Sequence, residues 1–295
     1  MFHVGFNPGN PTFPQTNLIS QFFSNPDDKI VNKMEESNVL MIGNFVQEYE
    51  MPLIINYKGI RIMYIGEPIN DFSFCKLASL LFKNNACHYY IGCISNKPGK
   101  CIKYPFYWSK TTDFKGVNDY VATCSIAKKD ICTLINRHDP GNTRTPITKE
   151  LSKYINVVCP GKLFNNCSNE ELNRIGNVEF LKKFVFNICS ENFGASHPGY
   201  ISEKIMNCCL GGAIPIYFGE LDEIDKRVFN PDRILFLNHS NVNQIVEKVI
   251  HMLKNPHVLM AFYKQPVFLN SAQDAMDEIE NGIRGFFSNM SSSAV

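Results

Sequence analysis

Apolar and polar positions along the chain alternate between two periods. Phe184 to Cys189 reads as a buried strand, and Gly199 breaks the chain just before a helical stretch. Gly211-Gly212 ends that stretch, and Ala213 to Phe218 is a second apolar strand. Residues 184–219 therefore predict one βαβ unit. Its polar residues Glu191, Asn192, Tyr200, Glu203 and Lys204 gather at or just past the carboxyl end of the first strand, the edge where open α/β sheets bind ligands. Upstream, Val39 to Ile42 and Gly59 to Ile65 are short apolar runs, Phe74 to Phe82 is helix-like, and Ser95 to Lys103, with Pro98 and Gly99, reads as a loop. The polar, mixed stretch 109–127 reads as a linker, after which Ile131 to Ile135 opens a second α/β series. There Asp139 to Arg144 is turn-rich, Thr148 to Tyr154 helical, and Ile155 to Cys159 a strand. Val242, Ile245, Val246, Val249, Ile250 and Leu253 mark an amphipathic helix capped by Ser240 or Asn241. A last helix runs through Met276, Ile279 and Ile283 into a polar, frayed tail at Ser288 to Val295. No internal repeat appears. The pattern predicts two α/β domains facing each other across a cleft, at 1–126 and 127–270, with a C-terminal helix and tail at 271–295.

Composition narrows the class. The chain has 295 residues, 44% apolar and 19% charged, as a globular protein does, and a formal net charge of +1. No basic run exceeds two residues, so nothing draws the chain to nucleic acid. The N-terminus lacks a signal-peptide pattern, and no apolar run reaches the roughly 18 residues of a membrane span. Eleven cysteines without a C-x-x-C pair suggest reduced, buried thiols, and the expectation is a soluble cytoplasmic protein. Asn166, Asn238 and Asn289 match the glycosylation pattern by chance on that reading.

The central unit carries candidate chemistry. A helix N-terminus offers unpaired N–H groups and partial positive charge to a phosphate. Lys204 falls in the first turn, and the adjacent Glu203 suits a ribose diol. Spacing alone fits an ordinary surface Glu-Lys pair as well. The chain has no G-x-x-x-x-G-K-[ST], no G-x-G-x-x-G, no D-x-D and no H-E-x-x-H. A diphosphate bound here without a carboxylate-held metal must be neutralised by Lys, Arg and helix dipoles. His88 and His138 show no metal-ligand spacing, and His197 is either a donor contact or a solvated loop residue. Trp108, Tyr104 and Tyr107 suit a sugar-stacking surface or, more simply, core; Cys208-Cys209 suits packing.

The stretch resembles the signature of the α1,3-fucosyltransferases of glycosyltransferase family 10: F-E-N-S, a loop, G-Y-[VI]-T-E-K-[IL], then N-A-x-x-A-G-[AC]-[VI]-P-[VI]-Y-W-G. Glu191-Asn192, Gly199-Tyr200, Glu203-Lys204, Asn207, Gly212, Pro215, Tyr217 and Gly219 match. Cys132 to Asn136, Arg144, Val158 to Asn166 and Phe229-Asn230-Pro231 are similar to further family segments, and Gly66-Glu67 is similar to its G-E-N. The resemblance is strong after residue 130 and weak before it. It implies a GT-B fold of two Rossmann-like domains, with GDP-fucose in the C-terminal one and the acceptor in the N-terminal one. Glu203 then holds the ribose, Lys204 and Arg144 neutralise the diphosphate, and Lys162, Glu191, Asn192 and Tyr200 belong to the donor site. Glu67 is the implied catalytic base, with Asp71 as the alternative, since Pro68 and Ile69 depart from the pattern. The implied reaction is inverting, metal-independent and cofactor-free transfer of L-fucose to a hydroxyl of a glycan acceptor, probed first as α1,3 linkage and as protein glycosylation. A GT-B transferase using another nucleotide sugar and an inactive GDP-sugar-binding protein are the competing readings.

Overall fold

The computed structural model describes residues 3–6, 29–31, 34–66, 76–92, 100–105, 107, 113–127, 129–192 and 199–293. Met1–Phe106 with Met276–Val295 form one compact unit and Tyr107–Ala275 another. In the first, β1 (His3–Phe6), β2 (Lys29–Ile30), β3 (Val39–Ile42), β4 (Ile60–Ile65), β5 (Tyr89–Gly92) and β6 (Cys101–Lys103) make a sheet of order β2-β1-β3-β4-β5-β6. Every pairing is parallel. Parallel sheets are covered on both faces, which is why β3 buries all four of its residues. Helices α1 (Met51–Asn56) and α2 (Lys76–Lys83) contribute Ile54, Ala78 and Leu81 to a core with Leu40, Ile42, Met63, Ile65 and Tyr90. Strand β6 corrects the loop expected there: Cys101 to Lys103 pair with Tyr90 to Gly92.

The second unit holds α3 (Phe114–Thr123), β7 (Asp130–Thr133), α4 (Thr145–Leu151), β8 (Val157–Val158), α5 (Glu170–Leu181) and β9 (Phe184–Ser190). There follow α6 (Glu203–Leu210), β10 (Ile214–Phe218), α7 (Asp225–Val228), β11 (Leu235–Phe236), α8 (Val242–Lys254) and α9 (Pro256–Tyr263). Helix α10 (Ala272–Ser293) begins in this unit and belongs to the first from Met276 on. Strand order is β11-β10-β9-β7-β8, again all parallel. Counted from β7, this is the doubly wound order 2-1-3-4-5. Its direction reverses between β7 and β9, and ligands bind at the carboxyl ends of the strands at such a reversal. Strand β9 buries all seven residues and β10 all five.

Two sequence expectations change here. The stretch expected to be a linker contains α3, begun where the Asp113 carboxylate accepts the Gly116 N–H. It is tied into the second unit by Asn118, whose Nδ2 donates to the Phe268 carbonyl and whose Oδ1 accepts from the Val267 and Phe268 N–H groups. The unit accordingly starts at Tyr107 rather than 127. The expected frayed tail is helical through Ser293. Tyr104 and Tyr107 are core residues; Trp108 lies outside the described residues. Burial pushes the thiols of Cys87 and Cys209 up to about 12, which keeps them protonated. Among the described residues no helix is long and apolar enough to cross a membrane.

Candidate functional site

The loop after β7 is organised by Asp139. Its carboxylate accepts the N–H groups of Thr143, Arg144 and Thr145, and so caps the start of α4. Burial works to raise the carboxyl's pKa, but hydrogen bonds from Thr145, Arg144 and Thr143 outweigh it and hold the group below its ordinary 3.8. A depressed native value means that the stabilisation is complete above 3.8 and is lost as pH falls through the lower native value. Asp139→Asn is therefore expected to flatten the acid limb of a stability-against-pH curve. Superimposable acid limbs for the two proteins would remove this role.

Arg144 is held between that loop and the end of β9. It is 1% exposed, and its Nη1 donates to the His138 carbonyl while its Nη2 donates to the Ser190 carbonyl and Asn192 Oδ1, at 2.8, 2.7 and 2.9 Å. With the Asn136 amide oriented to accept, Nε is engaged as well. Burial lowers the guanidinium's pKa, with Asp139 and Glu191 opposing. Most of its five N–H groups are thus spent on protein acceptors. Thr143 Oγ1 adds a bond to the Glu191 carbonyl, so residues 143–144 grip 190–192 from below.

Glu191 is fully buried, and its carboxylate accepts Ser202 N–H at 2.9 Å, Ser202 Oγ–H at 2.6 Å and the Tyr217 hydroxyl at 3.3 Å. Burial, then the neighbouring Glu191 charge, pushes the Tyr217 phenol well up, so it remains a donor. Ser202 is the N-cap of α6, and its oxygen accepts from Lys204 N–H and from Lys204 Nζ at 2.9 Å. One hydroxyl proton and two lone pairs are all satisfied. The Lys204 ammonium sits 3.5 Å from Glu191 and 3.9 Å from Glu203, with its side chain 25% exposed. The first turn of α6 thus presents a fixed cation at a helix N-terminus, which suits an anion.

Arg144, Asn192, Glu203 and Lys204 line a pocket of about 920 Å³ at the β7/β9 reversal. Its wall is formed by residues 135–138 just past β7, the 160–165 loop, residues of α5, Asn192 and the first turn of α6. Arg137, Arg144, Lys162 and Lys204 face one lining carboxylate, Glu203. The 160–165 loop approaches β7 so closely that a Cβ on Gly161 would lie 2.1 Å from the Asn136 carbonyl oxygen. Asn165 donates its amide to the Gly161 carbonyl within the loop, and Asn166 donates its amide to the Val157 carbonyl of β8, which braces the loop. Helix α5 is broken at Gly176 (φ 79°, ψ 168°), a backbone conformation confined to glycine, with Asn173 before the break and Asn177 after it on the wall.

Of the expected donor-site residues, Arg144, Lys162, Asn192, Glu203 and Lys204 line this pocket. Glu191 and Tyr200 do not: both are buried, and Glu191 acts on the site through Ser202 and Lys204. Glu67, Asp71 and His197 lie outside the described residues. Asp139, Arg137 and the α5 asparagines escaped the sequence reading, and His138 was set aside. The one available signal was the turn-rich Asp139 to Arg144 segment, since Asp before a helix is a capping signal.

Two α/β units, each with an all-parallel sheet, and a cation-rich pocket at the strand reversal of the second are of the GT-B fold class. Residues 124–276, just over half of the chain, match glycosyltransferase family 10 (fucosyltransferase), C-terminal part, and the chain belongs to that family. The 4-galactosyl-N-acetylglucosaminide 3-alpha-L-fucosyltransferase 9 of Cricetulus griseus is 24% identical over 147 residues, 50% of this chain and 39% of the relative. A protein of Acanthamoeba polyphaga mimivirus with a provisional fucosyltransferase name is 21% identical over 272 residues, 88% of this chain and 41% of the relative. The chain thus spans about two fifths of the length of these curated relatives. Among solved structures, an α1,3-fucosyltransferase aligns with a TM-score of 0.69 at 16% identity, over 96% of this chain and 90% of the other. One with GDP-fucose aligns at 0.65 and 14%, over the same shares. Anabaena HepE with UDP and glucose aligns at 0.56 and 8%, over 99% of this chain and 100% of the other. At these identities the likeness is one of fold.

Proposed function

We propose that this chain is a fucosyltransferase that moves L-fucose from GDP-fucose to a hydroxyl of a glycan acceptor, with inversion and in α1,3 linkage. The observation that carries the reading is the Lys204 ammonium, fixed in the first turn of α6 beside Glu203 and facing Lys162 and Arg137 in one pocket. Lys204, Lys162, Arg137 and the helix dipole neutralise the diphosphate, and Glu203 takes the ribose hydroxyls. Asn192 and Arg144 line the donor pocket, while the buried Glu191 and Tyr200 shape it. In the transfer, the acceptor oxygen bonds to the anomeric carbon as the bond from that carbon to the β-phosphate oxygen breaks. GDP leaves with that electron pair, and the acceptor proton passes to a base, for which Glu67 is proposed with Asp71 as the alternative. Such a base contributes about 10²–10⁴ in rate. Charge on GDP is met by side chains, so no metal and no cofactor is required, and the enzyme works as a cytoplasmic protein on acceptors bearing N-acetylglucosamine or glucose.

The test is a transfer assay with GDP-fucose and a panel of such acceptors, run beside thermal shifts with GDP and UDP. Fucosylated product, a midpoint raised by GDP and a rate indifferent to EDTA are expected. Glu67→Ala is expected to keep GDP affinity and lose transfer. No shift with saturating GDP would end the donor assignment. A shift with UDP alone would move the reading to another nucleotide sugar, which the fold match to HepE supports.

A further inference from the structure

The amino ends of β7, β9 and β10 form the edge of the second sheet opposite the pocket, and a separate group of polar side chains meets there. Cys124 follows the last residue of α3, and its Sγ–H donates to the Tyr120 hydroxyl one turn back at 3.6 Å. Lys129, the residue before β7, donates its Nζ to the Lys182 carbonyl and lies 5.9 Å from the centre of the Tyr263 ring. Arg233 lies over the same ring at 5.2 Å and donates to the carbonyls of Gly212, Ala213 and Tyr263. The two phenols close on Gly212, where a Cβ would meet Tyr120 Cε1 at 3.0 Å and the Tyr263 hydroxyl at 3.5 Å. Glu179, whose charge acts on Tyr120, is paired with Lys182 at 2.6 Å. The group therefore holds one thiol among two phenols and two half-buried or buried cations.

Two observations set Cys124 apart. Burial raises the thiols of Cys132, Cys159, Cys189 and Cys208, whereas Cys124 is half-buried and open to a small solute. Tyr263 is 0% exposed, and its hydroxyl has no hydrogen-bond partner although the Cys124 sulfur lies beside it. Burial, then the Cys124 charge, pushes that phenol up, so it stays a donor. Burial lowers the pKa of Lys129 and the neighbouring Cys124 opposes the shift. The nucleophilic form of cysteine is the thiolate, which accepts from an ammonium and from phenols. An orphaned buried hydroxyl is costly, and one oxygen added to the sulfur supplies the acceptor it lacks. We propose that Cys124 is a modification site for hydrogen peroxide, oxidised to a sulfenic acid whose oxygen is held by Tyr263 and Lys129. In the step, the sulfur attacks one peroxide oxygen, so an S–O bond forms as the O–O bond breaks. Hydroxide leaves with that electron pair and takes up the proton the thiol has given, departing as water. Sulfur is oxidised by two electrons and peroxide is reduced by the same two.

The experiment treats the full chain with hydrogen peroxide, traps sulfenic acid with dimedone over a time course, and locates the adduct by peptide mass spectrometry. Cys101 and Cys167, also half-buried, are the internal references. Cys124 is expected to be labelled about tenfold or more faster than either, since oxidation follows thiolate character and access. Tyr263→Phe removes only a hydroxyl that bonds nothing, so it is expected to unfold in urea like the wild type. Its sulfenic acid yield at Cys124 is expected to fall by about threefold or more, the worth of one hydrogen bond. Lys129→Gln is expected to slow labelling to a similar extent, and Tyr263→Phe carries the comparison alone if the glutamine protein does not fold. Labelling of Cys124 no faster than that of Cys101 and Cys167 would overturn the site. Unchanged rate and yield in the folded variants would overturn the role given to Tyr263 and Lys129.

Discussion

Lys204→Ala is expected to raise the dissociation constant for GDP by about 10- to 100-fold, the worth of one charge-assisted hydrogen bond of about 1.5–3 kcal/mol. The same change has a second cost. The Lys204 ammonium lies 3.5 Å from a carboxylate, Glu191, that has no exposure at all. Removing the cation leaves that buried charge to the Ser202 and Tyr217 hydrogen bonds and the Arg144 guanidinium, and stability is expected to fall by about 1–3 kcal/mol. The two effects separate in the double variant Lys204→Ala with Glu191→Gln. A neutral amide no longer needs the counter-charge, so the double variant is expected to unfold at higher denaturant than Lys204→Ala while binding GDP no better. Calorimetry and urea titration on the three variants read both. Unchanged GDP affinity in Lys204→Ala would discredit the anion site whatever happens to stability.

Arg144→Ala is expected to act the other way round, mainly on the fold. Its guanidinium joins the His138 and Ser190 carbonyls and Asn192 Oδ1, with Asp139 3.9 Å away. Deleting it orphans those acceptors and leaves Asp139 without its cation, at an expected loss of about 3–5 kcal/mol in urea-induced unfolding. Arg144→Lys restores the charge but not the planar fork and is expected to recover less than half of the loss. A variant that unfolds like the wild type while losing GDP affinity would return Arg144 to the role of a direct phosphate ligand.

Chain pattern alone reached the part of the fold where local and global demands agree. Phe184 to Ser190 is buried on both faces and so is apolar almost throughout, and Gly199 and Gly211-Gly212 bracket α6 where the chain must turn. Pattern fails where burial is partial or pairing is short. Helix α3 buries only Phe114 and Val121 and reads as polar, and β8 is two residues long. Family resemblance located Lys204, Glu203 and Lys162, because those residues sit at fixed offsets from glycines. It gave Glu191 a place beside the ligand, where the geometry makes it a buried anchor. That difference is set by contacts between distant residues, such as Arg144 with Ser190 and Tyr217 with Glu191, which no local pattern encodes.

The break in α5 has a consequence for how such a pocket changes over time. A continuous helix would lock Asn173 and Asn177, four residues apart, onto one face. Gly176 uncouples them, and a side chain added there meets nothing within 4 Å. Sterically the position is open, and resistance to substitution comes from the backbone alone, about 1–3 kcal/mol for a non-glycine residue held in that conformation. Any other residue would relieve that strain by straightening the helix and swinging one asparagine relative to the other. A substitution at Gly176 therefore acts on the asparagine wall through the backbone, on a helix that carries none of the pocket's lining cations.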